Sequence, residues 1–134
     1  MKNYPLIFIL ILLSGCAGSA FVVGGYDAEE LKTASTFEIC NTYQYRPSEK
    51  LESEISRRNL FSPAIWGKVK IGTVGIGMSE TALICARGYP FGYGSVNTTS
   101  TKSGTKKQYV YRPCETCRAR YFYVENGKVT AFQN

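Results

Sequence analysis

The sequence contains no histidine, and this absence excludes several kinds of active site. Ser-His-Asp and Cys-His arrangements need an imidazole base, and many zinc sites need an imidazole ligand. A dinucleotide-binding glycine fingerprint is missing too, because Glu80 stands where Gly75 and Gly77 would need a third glycine. No catalytic constellation remains, and we expect no enzyme activity, no cofactor and no metal site.

The chain also lacks a hydrophobic run long enough to span a bilayer, which takes about 20 apolar residues. The run from Pro5 to Leu13 is shorter and lies between Lys2 and the small residues that precede Cys16, which is the pattern of a secretory signal peptide. Leu13-Ser14-Gly15-Cys16 resembles the bacterial lipobox, whose cysteine is acylated and becomes the new N-terminus. We therefore predict a signal peptide over residues 1–15 and a lipid on Cys16. The alternative is an ordinary signal peptide with a chance cysteine.

Ala17, rather than Asp, follows Cys16, and in a Gram-negative host this implies a lipid anchor in the outer membrane with the protein facing the periplasm. Residues 16–26 are predicted to form a tether, and residues 27–134 a single domain. Removal of residues 1–15 leaves fifteen basic and ten acidic residues. The basic residues are scattered, which favours a solvated surface over a dense site for anionic partners, and we expect no nucleic-acid partner.

Four further cysteines remain after lipidation, an even number in an exported chain, and this favours two disulfides. They are Cys40, Cys85, Cys114 and Cys117. Three pairings are possible, and we favour a local Cys114–Cys117 bridge, which leaves Cys40 with Cys85. A redox Cys-x-x-Cys motif is the alternative for the local pair, although such motifs normally open a helix. A four-cysteine zinc site is disfavoured by the oxidising compartment.

Local sequence signals predict short helices in the first two thirds of the domain. Four of the helices follow a capping residue, and these caps are Asp27, Ser35, Ser62 and Ser79. Pro47-Ser48 opens the remaining helix, the third. The third helix should bury Leu51 and Ile55, pair Glu54 with Arg58, and end near Asn59. The fifth should run over Glu80–Arg87 and end at Gly88 and Pro90.

The last third of the domain is predicted to be a mobile loop over Phe91–Lys106, followed by three strands. The strands are Gln108–Arg112, Arg120–Glu125 and Lys128–Gln133, and Asn126-Gly127 predicts a tight hairpin between the last two. That hairpin would pair Val124 with Val129 and Phe122 with Ala131 on the face toward the helices. Tyr121 would lie opposite Phe132, and Tyr123 opposite Thr130, on the other face. The fold class is therefore α+β, with short N-terminal helices packed on a three-stranded antiparallel meander.

Several segments together resemble the BamE-like (SmpA/OmlA) lipoprotein domain family over Trp66–Gln133. They are Ile76–Glu80, Gly88–Pro90, Gln108–Tyr111 and Tyr121–Val129. The resemblance implies two helices on a three-stranded meander in a core over residues 63–134, with residues 27–62 as a helical extension. The founding member of that family is an accessory lipoprotein of the outer-membrane β-barrel assembly machine.

These observations predict a non-enzymatic envelope lipoprotein that acts as a protein-binding scaffold or accessory factor in outer-membrane protein assembly or envelope integrity. The candidate partner-binding residues are Tyr121, Tyr123 and Phe132. Three aromatic rings are more than a fully solvated sheet face usually carries. The plain alternative is that this face is the core. A different function is a lipid-anchored inhibitor of an envelope or invading enzyme, since β-lactamase inhibitor proteins have similar helix-plus-sheet domains. We expect no small-molecule substrate.

Overall fold

The computed structural model describes residues 23–134, in which five helices are followed by a four-stranded antiparallel sheet. The predicted α+β class is confirmed. The predicted signal peptide, the lipidation site at Cys16 and tether residues 16–22 lie outside the described residues. The helices are α1 Ala28–Thr33, α2 Thr36–Tyr45, α3 Glu49–Arg57, α4 Pro63–Lys70 and α5 Glu80–Arg87. The strands are β1 Ser95–Thr101, β2 Gly104–Tyr111, β3 Arg120–Glu125 and β4 Lys128–Gln133. Within residues 23–134, no helix is both long and apolar enough to cross a membrane.

Each predicted cap begins a helix, because the capping side chain accepts hydrogen bonds from backbone amides that have no partner inside the helix. The Asp27 carboxylate accepts from the amides of Glu29 and Glu30, and the Glu30 carboxylate accepts from the Asp27 amide in return. Ser35 and Glu38 form the same reciprocal pair at the start of α2. Helix α5 has the predicted bounds. Local side-chain chemistry therefore sets the helix starts.

The sheet has four strands, so the predicted mobile loop over Phe91–Lys106 is wrong. Ser95–Thr101 forms β1, and it pairs along its whole length with β2, which begins at Gly104. β1 is an edge strand whose two faces are almost entirely exposed, so it lacks the apolar alternation that marks a half-buried strand. Its threonines and Val96 suit extended backbone, and pairing with β2 supplies its hydrogen bonds.

The predicted register of the last hairpin is correct at the turn and wrong beyond it. Asn126 and Gly127 both have positive φ, at 48° and 78°, as the tight turn requires. The observed pairs are Val124 with Val129, Tyr123 with Ala131, Phe122 with Phe132 and Tyr121 with Gln133. Thr130 is an extra residue in a β-bulge, and its hydroxyl lies 3.4 Å from the Tyr123 carbonyl oxygen, to which it donates. The bulge moves Ala131 and Phe132 to the faces opposite to those predicted.

The core lies between the helices and one face of the sheet. Tyr109, Phe122, Val124 and Val129 supply the sheet side of this core, and the helices supply most of the rest. Val23 falls within the predicted tether over residues 16–26, but it is buried in the same core, at 2% exposure. Packed structure therefore includes a residue before the predicted domain boundary at Asp27.

Candidate functional site

One face of the sheet, called here the open sheet face, contributes no side chain to the core cluster. Because directly paired residues share a face, the register defines its members. They include Ser95, Asn97, Thr99, Lys106, Gln108, Val110, Tyr121, Tyr123, Glu125, Ala131 and Gln133. Tyr121 and Tyr123 are half-buried on this face, not buried in the core. The structure thus places two of the three predicted partner-binding residues on a sheet face that lies outside the core cluster formed within residues 23–134.

A chain of hydrogen bonds crosses all four strands on the open sheet face. The Asn97 side-chain amide donates to the Gln108 side-chain oxygen over 3.2 Å, and the Gln108 amide donates to the Tyr123 hydroxyl over 3.3 Å. That hydroxyl in turn donates to the Gln133 side-chain oxygen over 3.2 Å. These bonds hold the Tyr123 ring in one orientation, which lowers the side-chain entropy that a partner would have to remove on binding.

Phe132 does not belong to this surface, and its assignment beside the two tyrosines is wrong. The Thr130 bulge places Phe132 directly opposite Phe122, on the side of the sheet that packs against the helices. Its ring centroid lies 6.1 Å from that of Phe122, and the residue is 44% exposed because β4 is an edge strand. The candidate surface therefore rests on Tyr121 and Tyr123.

The cysteines form the two bridges favoured from the sequence. The buried Cys40–Cys85 bridge joins α2 to α5. The Cys114–Cys117 bridge closes the connection between β2 and β3, where the Cys117 amide donates to the Cys114 carbonyl over 3.1 Å. This connection contains no helix whose N-terminus could stabilise a thiolate. Across residues 23–134, no group of three or more His, Cys, Asp or Glu side chains is placed to hold a metal ion.

A second polar cluster joins the first turn of α5 to β2. The Glu80 carboxylate accepts from the Lys107 ammonium over 2.7 Å and from the Tyr109 hydroxyl. Burial, together with the neighbouring Glu80 carboxylate, raises the pKa of Tyr109 well above its usual value, so the phenol stays protonated. Glu80 also lies at the positive end of the α5 dipole. The cluster attaches the helix to the sheet.

A surface depression beside α2, called here the aromatic groove, has no counterpart among the sites predicted from the sequence. Its volume is about 540 Å³, and it is lined by Asn41, Thr42, Tyr45, Arg46, Tyr89, Pro90 and Phe91. Phe91 falls in the predicted loop, the sequence marks Tyr89 only as part of the segment Gly88–Pro90, and no local pattern points to Tyr45. Gly88 allows the end of α2 at Tyr45 to approach the segment after α5 that contains Tyr89. A Cβ atom on residue 88 would lie 2.6 Å from the Tyr45 hydroxyl oxygen and 2.7 and 2.8 Å from two carbons of its ring. A glycine at a helix end can indicate that another part of the chain packs closely against the backbone there. The sequence does not show which residue makes that contact.

Comparisons with known protein families, with curated proteins and with solved structures find no match to this chain. The function of the protein must therefore be inferred from its own residues and contacts.

Proposed function

We propose that this protein is a non-enzymatic envelope lipoprotein, held by a lipid on Cys16 at the periplasmic side of the outer membrane, that binds a protein partner through the open sheet face. The observation that carries the binding role is the network around Tyr123, which crosses four strands on a face that the described helices leave uncovered. Through this surface the protein would act as an accessory factor or scaffold in outer-membrane protein assembly or envelope integrity.

The chemistry of the open sheet face suits a protein partner. Tyrosine rings bury much area with few rotatable bonds, which is why they are frequent at the centres of protein interfaces. Tyr121 and Tyr123 lie on the central strand β3, with amides and hydroxyls on the strands beside them. The charged pair at one end of the face, Lys106 and Glu125, is internally neutralised at 3.3 Å. The face therefore presents neutral hydrogen-bonding groups around two rings, and its charged residues Lys106, Glu125 and Lys128 lie together at the end next to the Asn126-Gly127 turn.

The binding role is tested by replacing both tyrosines of the face with serine. We expect Tyr121→Ser/Tyr123→Ser to abolish partner capture from envelope extracts while the melting temperature changes little, because both rings lie outside the core. Tyr26→Ser is the matched control, since Tyr26 is an exposed tyrosine in a different part of the molecule. Unchanged capture by the double variant would refute the proposal. A fall of ten degrees or more in the melting temperature would show that the rings act as core residues, since such a fall corresponds to roughly 2 kcal/mol or more.

The identity of the captured protein separates the scaffold from the enzyme inhibitor, the two functions between which the sequence does not decide. A photoreactive phenylalanine analogue at position 123, activated in intact cells, should crosslink to an outer-membrane barrel or to a component of its assembly apparatus. Crosslinking to a soluble hydrolase would refute the scaffold function and support the inhibitor function. Mass spectrometry of the crosslinked product reports both outcomes directly.

The anchor is tested separately from the binding surface. Cys16→Ala should abolish incorporation of labelled palmitate, and the unlipidated domain should keep its melting temperature. Equal palmitate incorporation into the variant and the wild-type protein would refute the assignment of the lipid to Cys16.

A further inference from the structure

The aromatic groove exposes more apolar ring surface than the fold requires. Phe91 is 70% exposed and Tyr45 is 48% exposed, and the centroids of the two rings lie 5.5 Å apart in an edge-to-face contact. Tyr89, 37% exposed, lines the same groove, and its carbonyl oxygen accepts from the Tyr45 hydroxyl. Large clustered rings in contact with water favour a binding surface over an ordinary solvated one.

The groove lies where the described chain begins. The Val23 amide donates to the hydroxyl of Thr42, a groove residue, over 3.0 Å. A Cβ atom on Gly24 would lie 3.6 Å from Thr42 Cγ2 and 3.7 Å from Arg46 Cδ, so the first described residues run along the groove wall. Six residues separate Val23 from Cys16, which limits the distance between them to about 25 Å at full extension. A lipid on Cys16 would therefore keep the groove close to the membrane surface.

The groove also has the composition that suits the boundary between lipid and water. Tyrosine rings are enriched at that boundary, where the ring contacts apolar lipid and the hydroxyl remains hydrated. Among the described residues that line the groove, Arg46 is the one with a charge, and its positive charge suits the phosphate of lipid head groups. Within residues 23–134, the groove lining contains no carboxylate that would repel a lipid phosphate.

From these observations we propose that the aromatic groove docks onto the surface of the lipid bilayer that holds the anchor, with Phe91 and Tyr45 inserted at the level of the head groups. The proposal rests on the proposed lipid anchor only for the proximity of the groove to the membrane, because the contact between groove and lipid needs no acyl chain. Docking would give the domain one orientation on the membrane.

The intrinsic contact is tested with the secreted chain carrying Cys16→Ser, which has no lipid. We expect this protein to sediment with phosphatidylcholine vesicles at millimolar lipid, and more strongly when the vesicles also contain an anionic phospholipid. Phe91→Ser should lower the partition coefficient by about tenfold, since it removes an inserted aromatic ring. Ile76→Ser is the matched control, because Ile76 has the same 70% exposure but does not line the groove. Absence of sedimentation, or equal loss in the two variants, would overturn the proposal.

The location of the contact is tested by fluorescence in the lipid-anchored protein. With Trp66→Phe removing the single native tryptophan, the indole introduced by Phe91→Trp should be quenched by phospholipids brominated near the head group, and the indole introduced by Ile76→Trp should not. Equal quenching at both positions, or no quenching at position 91, would overturn docking through the groove. Occupation of the groove by another protein or by residues 17–22 would prevent quenching at position 91 and would overturn it in the same way. Failure of palmitate labelling would refute the lipoprotein function alone, because vesicle binding by the unlipidated chain is measured independently.

Discussion

Loss of the Cys40–Cys85 bridge should destabilise the domain more than loss of the Cys114–Cys117 bridge. Both cysteines are buried, at 0% and 1% exposure, and the bridge closes a segment with a sequence separation of 45 that contains α3 and α4. It also ties together α2 and α5, which pack against each other in the core. The perturbation is Cys40→Ala/Cys85→Ala, which leaves small apolar side chains in place of the sulfurs.

The size of the effect follows from the freedom that the bridge removes from the unfolded chain. For a loop of this length, the chain-entropy relation gives about 4 kcal/mol at 25 °C. The same relation gives about 2 kcal/mol for Cys114–Cys117, whose sequence separation is 3. The two double variants therefore form a matched pair that differs mainly in loop length and burial.

Urea unfolding followed by circular dichroism measures both variants. We expect the free energy of unfolding to fall by about 4 kcal/mol for Cys40→Ala/Cys85→Ala and by about half as much for Cys114→Ala/Cys117→Ala. Thiol titration of the native wild-type domain should find none of the four cysteines free. Equal losses in the two variants, or a loss below about 1 kcal/mol at the buried pair, would refute the entropy reasoning.

Two further predictions concern a helix end and a buried carboxylate. Gly88→Ala should cost about 2 to 3 kcal/mol in thermal unfolding, because φ is +74° and the new Cβ would overlap the Tyr45 ring. Gly127→Ala, with φ +78° and open space around it, should cost only about 1 kcal/mol, and equal costs would contradict the overlap. Hydrogen bonding to Arg57, above all, lowers the pKa of Glu54 from its ordinary 4.5 to about 2. Its stabilising contribution is therefore complete above pH 4.5 and is lost as the pH falls through 2, so Glu54→Gln should flatten the stability profile in that window.

The helices show how much a local pattern determines. The reciprocal pair of Ser35 and Glu38 predicts the start of α2, and both of its hydrogen bonds are present. Leu51 and Ile55 are both buried on one face of α3, as their spacing predicts. The predicted pair of Glu54 and Arg58 is present at 2.6 Å. The cap and the ion pair join residues at most four positions apart, so the local sequence specifies them. The burial of Leu51 and Ile55 depends in addition on the core that α3 packs against.

The candidate binding surfaces show what local patterns leave undetermined. β1 carries no apolar alternation because Val96 is its only partly buried residue, and its existence depends on pairing with β2. The bulge at Thr130 decides which face Phe132 occupies, and a single extra residue reverses every assignment beyond it. The aromatic groove joins Tyr45 to Tyr89, which lie 44 positions apart.

The sequence by itself determined the α+β class, the helix starts and the tight turn at Asn126-Gly127, because caps and turns act through neighbouring residues. It left three cysteine pairings open, and the tertiary structure contains Cys40–Cys85 and Cys114–Cys117. Only the tertiary structure decided the fourth strand, the face of Phe132 and the existence of the aromatic groove. Each of these depends on contacts between segments far apart in the chain. Such contacts form only where pairing and burial outweigh the loss of chain entropy, and that balance belongs to the whole fold.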